Sequence, residues 1–382
     1  MRWRPAERMD GVERTMIRQI FDGAPADAIN LGLGQPDLIT PPGPCRAAQL
    51  AIDEGKTFYT STAGLPALRE RLAERYAPFT SGAESVCVSV GSQQALYASC
   101  LTLAGPGDEI LVPDPGYPAY PVVARLVGAS AVSYPIRGES DFSLDPADIL
   151  DRVTDATRAV ILCSPSNPTG RCVDAARLRV LTEELSRRGV PWISDEIYSG
   201  LTYDGVFVSP SRFSRDGLIV SSVSKDVAMT GWRVGWVAGS VEIIERITAA
   251  QQYLVTSAPS VSQYAALAAL GAEGREDRVA ILDRFRVRRS FMAAVLERIP
   301  HLRWRLPDGS FYFFVDCSAY GDDIELAKSF LEQENVVTIP GSAFGEQGRG
   351  YLRISFGVGR NQLGIALESL QRFLSRREVS AL

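Results

Sequence analysis

One histidine in 382 residues removes whole reaction classes before any motif is considered. His301 lies in Ile299-Pro300-His301-Leu302-Arg303, which reads as an exposed surface turn. Ser-His-Asp hydrolysis and histidine-ligated metals therefore have almost no material to work with. Lysine is nearly as scarce, with Lys56, Lys225 and Lys328 the only three. Chemistry that needs an amine nucleophile must draw on one of them. The six cysteines, Cys45, Cys87, Cys100, Cys163, Cys172 and Cys317, show no C-x-x-C spacing. That argues against a zinc cluster or a disulfide framework and fits a reducing cytoplasm. No stretch reaches the roughly 18 consecutive apolar residues of a membrane span, and no apolar run follows the basic N-terminal start. A net charge of -5 gives no sign of a polyanion partner, so neither nucleic acid nor membrane is expected.

A chain of this length reads as two domains, or one large domain with an appendage. Short β-branched runs alternate with helical stretches from about residue 86 to 240: 86–90, 109–113, 129–134, 158–165, 190–196, 217–224 and 232–240. Helices are expected from Gln93, from Tyr117 and over 174–189. Such alternation is the pattern of a parallel sheet with crossover helices. Beyond helices at 241–255 and 258–271, a long charged helix over 275–299 leads into a region of different texture. There the runs 311–316, 336–340 and 351–356, a helix at 323–334 and a final helix read as a smaller α+β unit, which the N-terminal segment joins.

The decisive segment is Ser221-Ser222-Val223-Ser224-Lys225, followed by Asp226 and then by Met229-Thr230-Gly231-Trp232-Arg233. A lysine ends a strand among hydroxyls, and an arginine follows eight residues later. Such a segment can bind an aldehyde and a phosphate together, the two groups that pyridoxal 5′-phosphate carries. The amine condenses with the aldehyde, and the hydroxyls and guanidinium suit the dianion. Lys56 and Lys328 read instead as surface lysines.

With Gly91-Ser92-Gln93-Gln94-Ala95-Leu96-Tyr97, Asn167-Pro168-Thr169-Gly170 and Asp195-Glu196-Ile197-Tyr198 in the same order, the sequence resembles the class I and II aminotransferases, in the aspartate aminotransferase superfamily. The resemblance spans nearly the whole chain. It implies the fold of pyridoxal-phosphate fold type I: a mainly parallel seven-stranded sheet with flanking helices, and a smaller α+β domain. The large domain is then expected over 46–284 and the small one over 1–45 with 285–382. The resemblance also implies a Schiff base between Lys225 and the cofactor, and transfer of an amino group between an amino acid and a 2-oxo acid.

Residue by residue, Ser92 and Gln93 are similar to the amides that hold the phosphate. A glycine turn opening a helix is physically suited to that task. Ser222, Ser224 and Arg233 join them, and Tyr59 resembles the tyrosine that reaches the phosphate from the other subunit, which implies a homodimer with shared sites. Asp195, at the carboxyl end of an apolar strand, stands where open α/β sheets place ligands, and resembles the partner of the protonated pyridine nitrogen. Tyr198 and Asn167 match the donors to the phenolic oxygen, and Tyr117 the aromatic on the ring face. Arg353, a guanidinium inside the apolar run Tyr351-Leu352-Arg353-Ile354-Ser355, expects an anion because an unpaired buried charge is costly. By resemblance that anion is the substrate α-carboxylate, with Gly34 and Asn167 beside it.

A nicotinamide dehydrogenase is disfavoured, since Gly32-Leu33-Gly34-Gln35-Pro36-Asp37 ends in Asp and puts a proline where a helix should begin. Other pyridoxal-phosphate reactions, such as β-elimination, γ-replacement, or oxidation and cyclisation in secondary metabolism, share the cofactor residues and stay open. Family members selective for dicarboxylates carry a second cation for the distal group. The glycine turn here and Gln251-Gln252-Tyr253-Leu254-Val255-Thr256-Ser257 have none. Neutral apolar or aromatic substrates are therefore expected, with Leu33, Tyr120 and Tyr253 as pocket walls, unless Arg14 or Arg18 reaches the site. Asp226 has no role legible at this level.

Overall fold

The computed structural model describes residues 3–205 and 207–379. Seven strands form one sheet in the order Val86–Ser89, Gly235–Ala238, Gly217–Ser222, Trp192–Asp195, Thr157–Cys163, Glu109–Asp114, Ser130–Pro135. Only Gly235–Ala238 runs against the rest, pairing antiparallel with both neighbours. All seven expected strands form.

An interior strand explains why. In Thr157–Cys163, Val160 and Leu162 face one core with Trp192, Ile219 and Trp236. Ala159 and Ile161 face the other, with Ile110, Ile193 and Val220. Helices cover both faces, so the strand is apolar at successive positions instead of alternating. Helix Gly91–Leu103 starts two residues before Gln93, and Ala119–Leu126 starts two after Tyr117. The later start follows from Pro118, which disfavours helical geometry at Tyr117.

The second region holds an antiparallel sheet of Ile339–Pro340, Tyr351–Ser355 and Tyr312–Asp316. The expected single run at 336–340 is split: Val336–Val337 pairs instead with Ile29–Asn30, which ties the N-terminal segment to this region. Helix Ala272–Leu296 buries Ile281, Phe285, Met292 and Leu296 on one stripe. Phe285 stacks on Phe311 with ring centroids 5.4 Å apart, inside a core shared with Phe313, Phe356 and Phe373. Each such ring removes enough apolar surface from water to contribute about 1.5–3 kcal/mol. Among the described residues no helix is long and apolar enough to cross a membrane, and no cluster of metal-ligating side chains forms.

Candidate active site

Parallel strands end together, so the residues just past them converge. The turns after Val86–Ser89, Glu109–Asp114, Thr157–Cys163, Trp192–Asp195 and Gly217–Ser222 border one cavity of about 280 Å³. It brings together Ser92, Gln93, Tyr117, Asn167, Asp195, Tyr198, Ser224, Lys225, Arg233, Gly34 and Arg353.

Lys225 donates from Nζ to the Gly34 carbonyl at 2.6 Å. Burial, reinforced by the positive charges of Arg233 and Arg353, pushes its pKa down to about 8 against the opposing pull of Asp195. Asp195 is 8% exposed. Its Oδ2 accepts from the Tyr120 hydroxyl at 2.8 Å and its Oδ1 from the Ile197 amide at 3.2 Å. Burial nevertheless holds the carboxyl above the usual aspartate range.

Arg353 is 2% exposed. Its Nη1 donates to Asn167 Oδ1 at 2.7 Å and its Nη2 to the Gly32 carbonyl, while Nε has no partner among the described residues. The guanidinium carbon lies 4.3 Å from the centre of the Tyr312 ring and 4.7 Å from that of Phe344. No carboxylate among the described residues bridges it, so Arg353 is not held in a structural ion pair there. Asn167 is held by a loop in which Ser164–Pro165 and Asn167–Pro168 are cis.

On the opposite side Gly91 opens its helix at φ +75°, and a Cβ there would fall 2.6 Å from Arg233 Nη2. Glycine is required both for the turn and for the approach of the guanidinium. Arg233 itself sits at φ +55° and donates Nη1 to the Thr230 carbonyl at 3.0 Å. The first amides of a helix lack internal partners, so those of Ser92 and Gln93 with Arg233 and Ser224 make a cradle for a dianion. Tyr117 donates its hydroxyl to Gln93 Oε1 at 3.3 Å and meets Tyr120 edge-on.

Three expected residues lie elsewhere in the single chain. The Ser222 hydroxyl accepts from the Ser224 amide at 3.1 Å and serves the turn rather than lining the cavity. Tyr59 and Tyr253 are 84% and 88% exposed and do not border the cavity of their own chain. Arg14 and Arg18 both pair with Asp22, and from the helix Met16–Gly23 it is Ile17 that lines the cavity. Leu33 and Tyr120 do line it.

Sequence reasoning missed Tyr312, whose hydroxyl lies 2.8 Å from that of Tyr198. A side chain at Gly34 would collide with the same hydroxyl. In sequence Tyr312 reads as one more aromatic of a core strand, and only the run Gly309-Ser310-Phe311 before it signals a turn.

The donor set fits pyridoxal 5′-phosphate: an amine, a buried carboxylate with lone pairs to spare, an anion cradle and a guanidinium with an orphaned N–H. Comparison with known proteins agrees. The model of the family "Aminotransferase class I and II" matches residues 26–370. A probable aspartate aminotransferase of Methanocaldococcus jannaschii is 34% identical over 362 residues, 92% of this chain and 94% of that protein. The solved aspartate aminotransferase from Thermus thermophilus with maleate superposes with a TM-score of 0.92 at 30% identity, covering 97% of this chain and 100% of that one. An aromatic aminotransferase from Pyrococcus horikoshii OT3 gives a TM-score of 0.88 at 31% identity, covering 94% and 98%.

Proposed function

The chain belongs to the class I and II aminotransferases and is a pyridoxal 5′-phosphate-dependent enzyme of fold type I; from that premise we propose that Lys225 is its catalytic amine and that its amino acids are neutral, with apolar or aromatic side chains. When bound, the cofactor supplies a conjugated, electron-accepting ring that draws off the electron pair left at Cα. Lys225 would hold the aldehyde carbon, and Asp195 the ring nitrogen as an ion pair. Tyr198 and Asn167 would donate to the phenolic oxygen, and Tyr117 would cover the ring face. Ser92, Gln93, Ser224 and Arg233 would hold the phosphate, with Ser222 ordering that turn. Tyr59 would complete it from the other protomer of a homodimer, a role that its exposure supports.

Arg353 receives the substrate carboxylate. Its unpartnered Nε and its two existing donors give a fork already oriented by Asn167 and Gly32, so little side-chain ordering remains to be done on binding. Lys225 Nζ would be the group that takes up the substrate Cα proton, and a pKa lowered to about 8 suits an amine that must both accept and give up a proton near neutrality.

Substrate class rests on one observation. Apart from Lys225, Arg233 and Arg353, no lysine or arginine borders the cavity among the described residues, while Ile17, Leu33 and Leu96 do. A distal carboxylate there would lose its water without a counter-charge, at a cost of several kcal/mol. Single-turnover conversion to the pyridoxamine form, followed in the cofactor band, is expected to be faster with leucine or phenylalanine than with aspartate. Faster aspartate would overturn the preference and make Arg18 the distal clamp.

The reading keeps 46–284 as the large domain and 1–45 with 285–382 as the small one, supported by the separate phenylalanine core. A cytoplasmic setting is supported by six cysteines that are all unpaired.

A further inference from the structure

Asp226, the residue after Lys225, lines a separate cavity of about 490 Å³. Asp226 is 4% exposed, and its Oδ1 has no hydrogen-bond partner among the described residues. The carboxylate is pressed against Gly200, where a Cβ would fall 2.5 Å from Oδ2. Arg75 and Arg278 face it electrostatically, yet no guanidinium comes within ion-pair distance among the described residues. A buried carboxylate with neither a hydrogen-bond nor an ion-pair partner is costly, which makes Asp226 a mark of a missing partner.

The walls say what the partner is. Arg71 is engaged by Glu74 at 3.5 Å, and Arg278 spends one N–H on the Ala269 carbonyl. Arg75 and Arg275 have no ion-pair partner among the described residues, so four guanidiniums line the cavity with the buried Asp226 carboxylate, while Glu74 is taken up by Arg71. Leu270, Val279 and Leu282 supply an apolar side to the same space. A simple anion would bind the arginines but leave Asp226 unpartnered and repelled. A simple cation would satisfy Asp226 but meet the guanidiniums. A molecule that carries both charges two bonds apart, with an apolar tail, satisfies Asp226, the unpaired guanidiniums and the apolar side at once.

We infer that this cavity is a second binding site for a neutral α-amino acid, its ammonium on the Asp226 carboxylate, its carboxylate on Arg75 and Arg278, and its side chain on Leu270, Val279 and Leu282. The site shares the backbone of Lys225 and Asp226 with the active site but none of its cavity. It does not depend on which amino acids the active site transforms.

The test is equilibrium dialysis of labelled L-leucine against holoenzyme whose cofactor has been fixed by borohydride, so that no turnover occurs. Saturable binding of leucine is expected, retained in Arg353→Lys and weakened at least about tenfold in both Asp226→Asn and Arg75→Gln, the loss of one charge-assisted hydrogen bond. The cofactor absorbance of each variant reports folding independently, and the two variants approach the ligand from opposite ends. N-acetyl-leucine, without an ammonium, and leucinamide, without a carboxylate, are expected to bind at least about tenfold more weakly to the unsubstituted protein. Absence of saturable leucine binding, its loss in Arg353→Lys, its persistence in both cavity variants, or N-acetyl-leucine binding as tightly as leucine would each overturn the inference. Which lysine carries the fixed cofactor is read without leucine, so failure here and failure of the active-site assignment are separate results.

Discussion

The Tyr120 hydroxyl donates to Asp195 Oδ2 at 2.8 Å, and both side chains are buried. It is the only side-chain donor to Asp195 among the described residues, and it opposes the burial that raises the carboxyl pKa. Tyr120→Phe is expected to lower the stability of the cofactor-free protein by about 1–3 kcal/mol at pH 7, since it leaves a buried acceptor unpaired. The effect should shrink in acid, where the carboxyl takes up a proton. Urea unfolding of the two proteins at pH 5 and pH 7 checks both statements, and equal stability at pH 7 would show that the bond contributes nothing.

Glu196, next to Asp195, gives a pH dependence of its own. Burial raises its pKa to about 7, against the donated hydrogen bonds of Ser209 and Ser194 and the charge of Arg75. The folded protein therefore binds this proton more tightly than the unfolded chain. Its contribution is fully present below the ordinary glutamate range and is lost as pH rises from about 4.5 through about 7. Each tenfold difference in proton affinity is worth about 1.4 kcal/mol, so a loss of roughly 3 kcal/mol is expected across that window. Glu196→Gln should flatten it, as measured by urea unfolding from pH 4.5 to 8.

Lys225 titrates where its chemistry can be watched. Only the neutral amine attacks an aldehyde, so capture of pyridoxal 5′-phosphate by the cofactor-free protein should accelerate with pH, with a midpoint of about 8. Arg353→Leu removes one of the two neighbouring positive charges and should move the midpoint upward. Stopped-flow absorbance against pH reads both; a midpoint unmoved by Arg353→Leu would show that Arg353 has no part in setting it.

The strands were legible because a parallel sheet covered on both faces needs runs such as Val160 to Leu162, and no surface segment produces them. The glycine turn at Gly91 and the Ser222 to Arg233 segment were legible because one short stretch carries all their chemistry. Tyr312 was not: its partner Tyr198 is 114 residues away, and their meeting depends on how the second region docks. Asp226 was opaque for the same reason, since its meaning lies in Arg75 and Arg278, on helices that the sequence sets far apart. Tyr120 was read as a wall, whereas the fold turns its hydroxyl onto Asp195.

Tyr59 tests the homodimer. Mixed dimers that combine a Tyr59→Phe subunit with a Lys225→Ala subunit should recover activity, because one of the two composite sites then holds both native residues. Subunit exchange followed by an activity assay reads the outcome. Verified heterodimers no more active than their parents would place Tyr59 outside the shared site.

The central claim, that Lys225 is the amine at the heart of the cavity, is tested most directly by borohydride reduction of the purified yellow holoenzyme and peptide mapping. Of three lysines, Lys56 is already paired with Glu54 at the surface and Lys328 lies in the helix Asp323–Glu334, so only Lys225 borders the site. The pyridoxyl group should be found on the peptide containing Lys225 and nowhere else; its recovery on Lys56 or Lys328 would contradict the assignment.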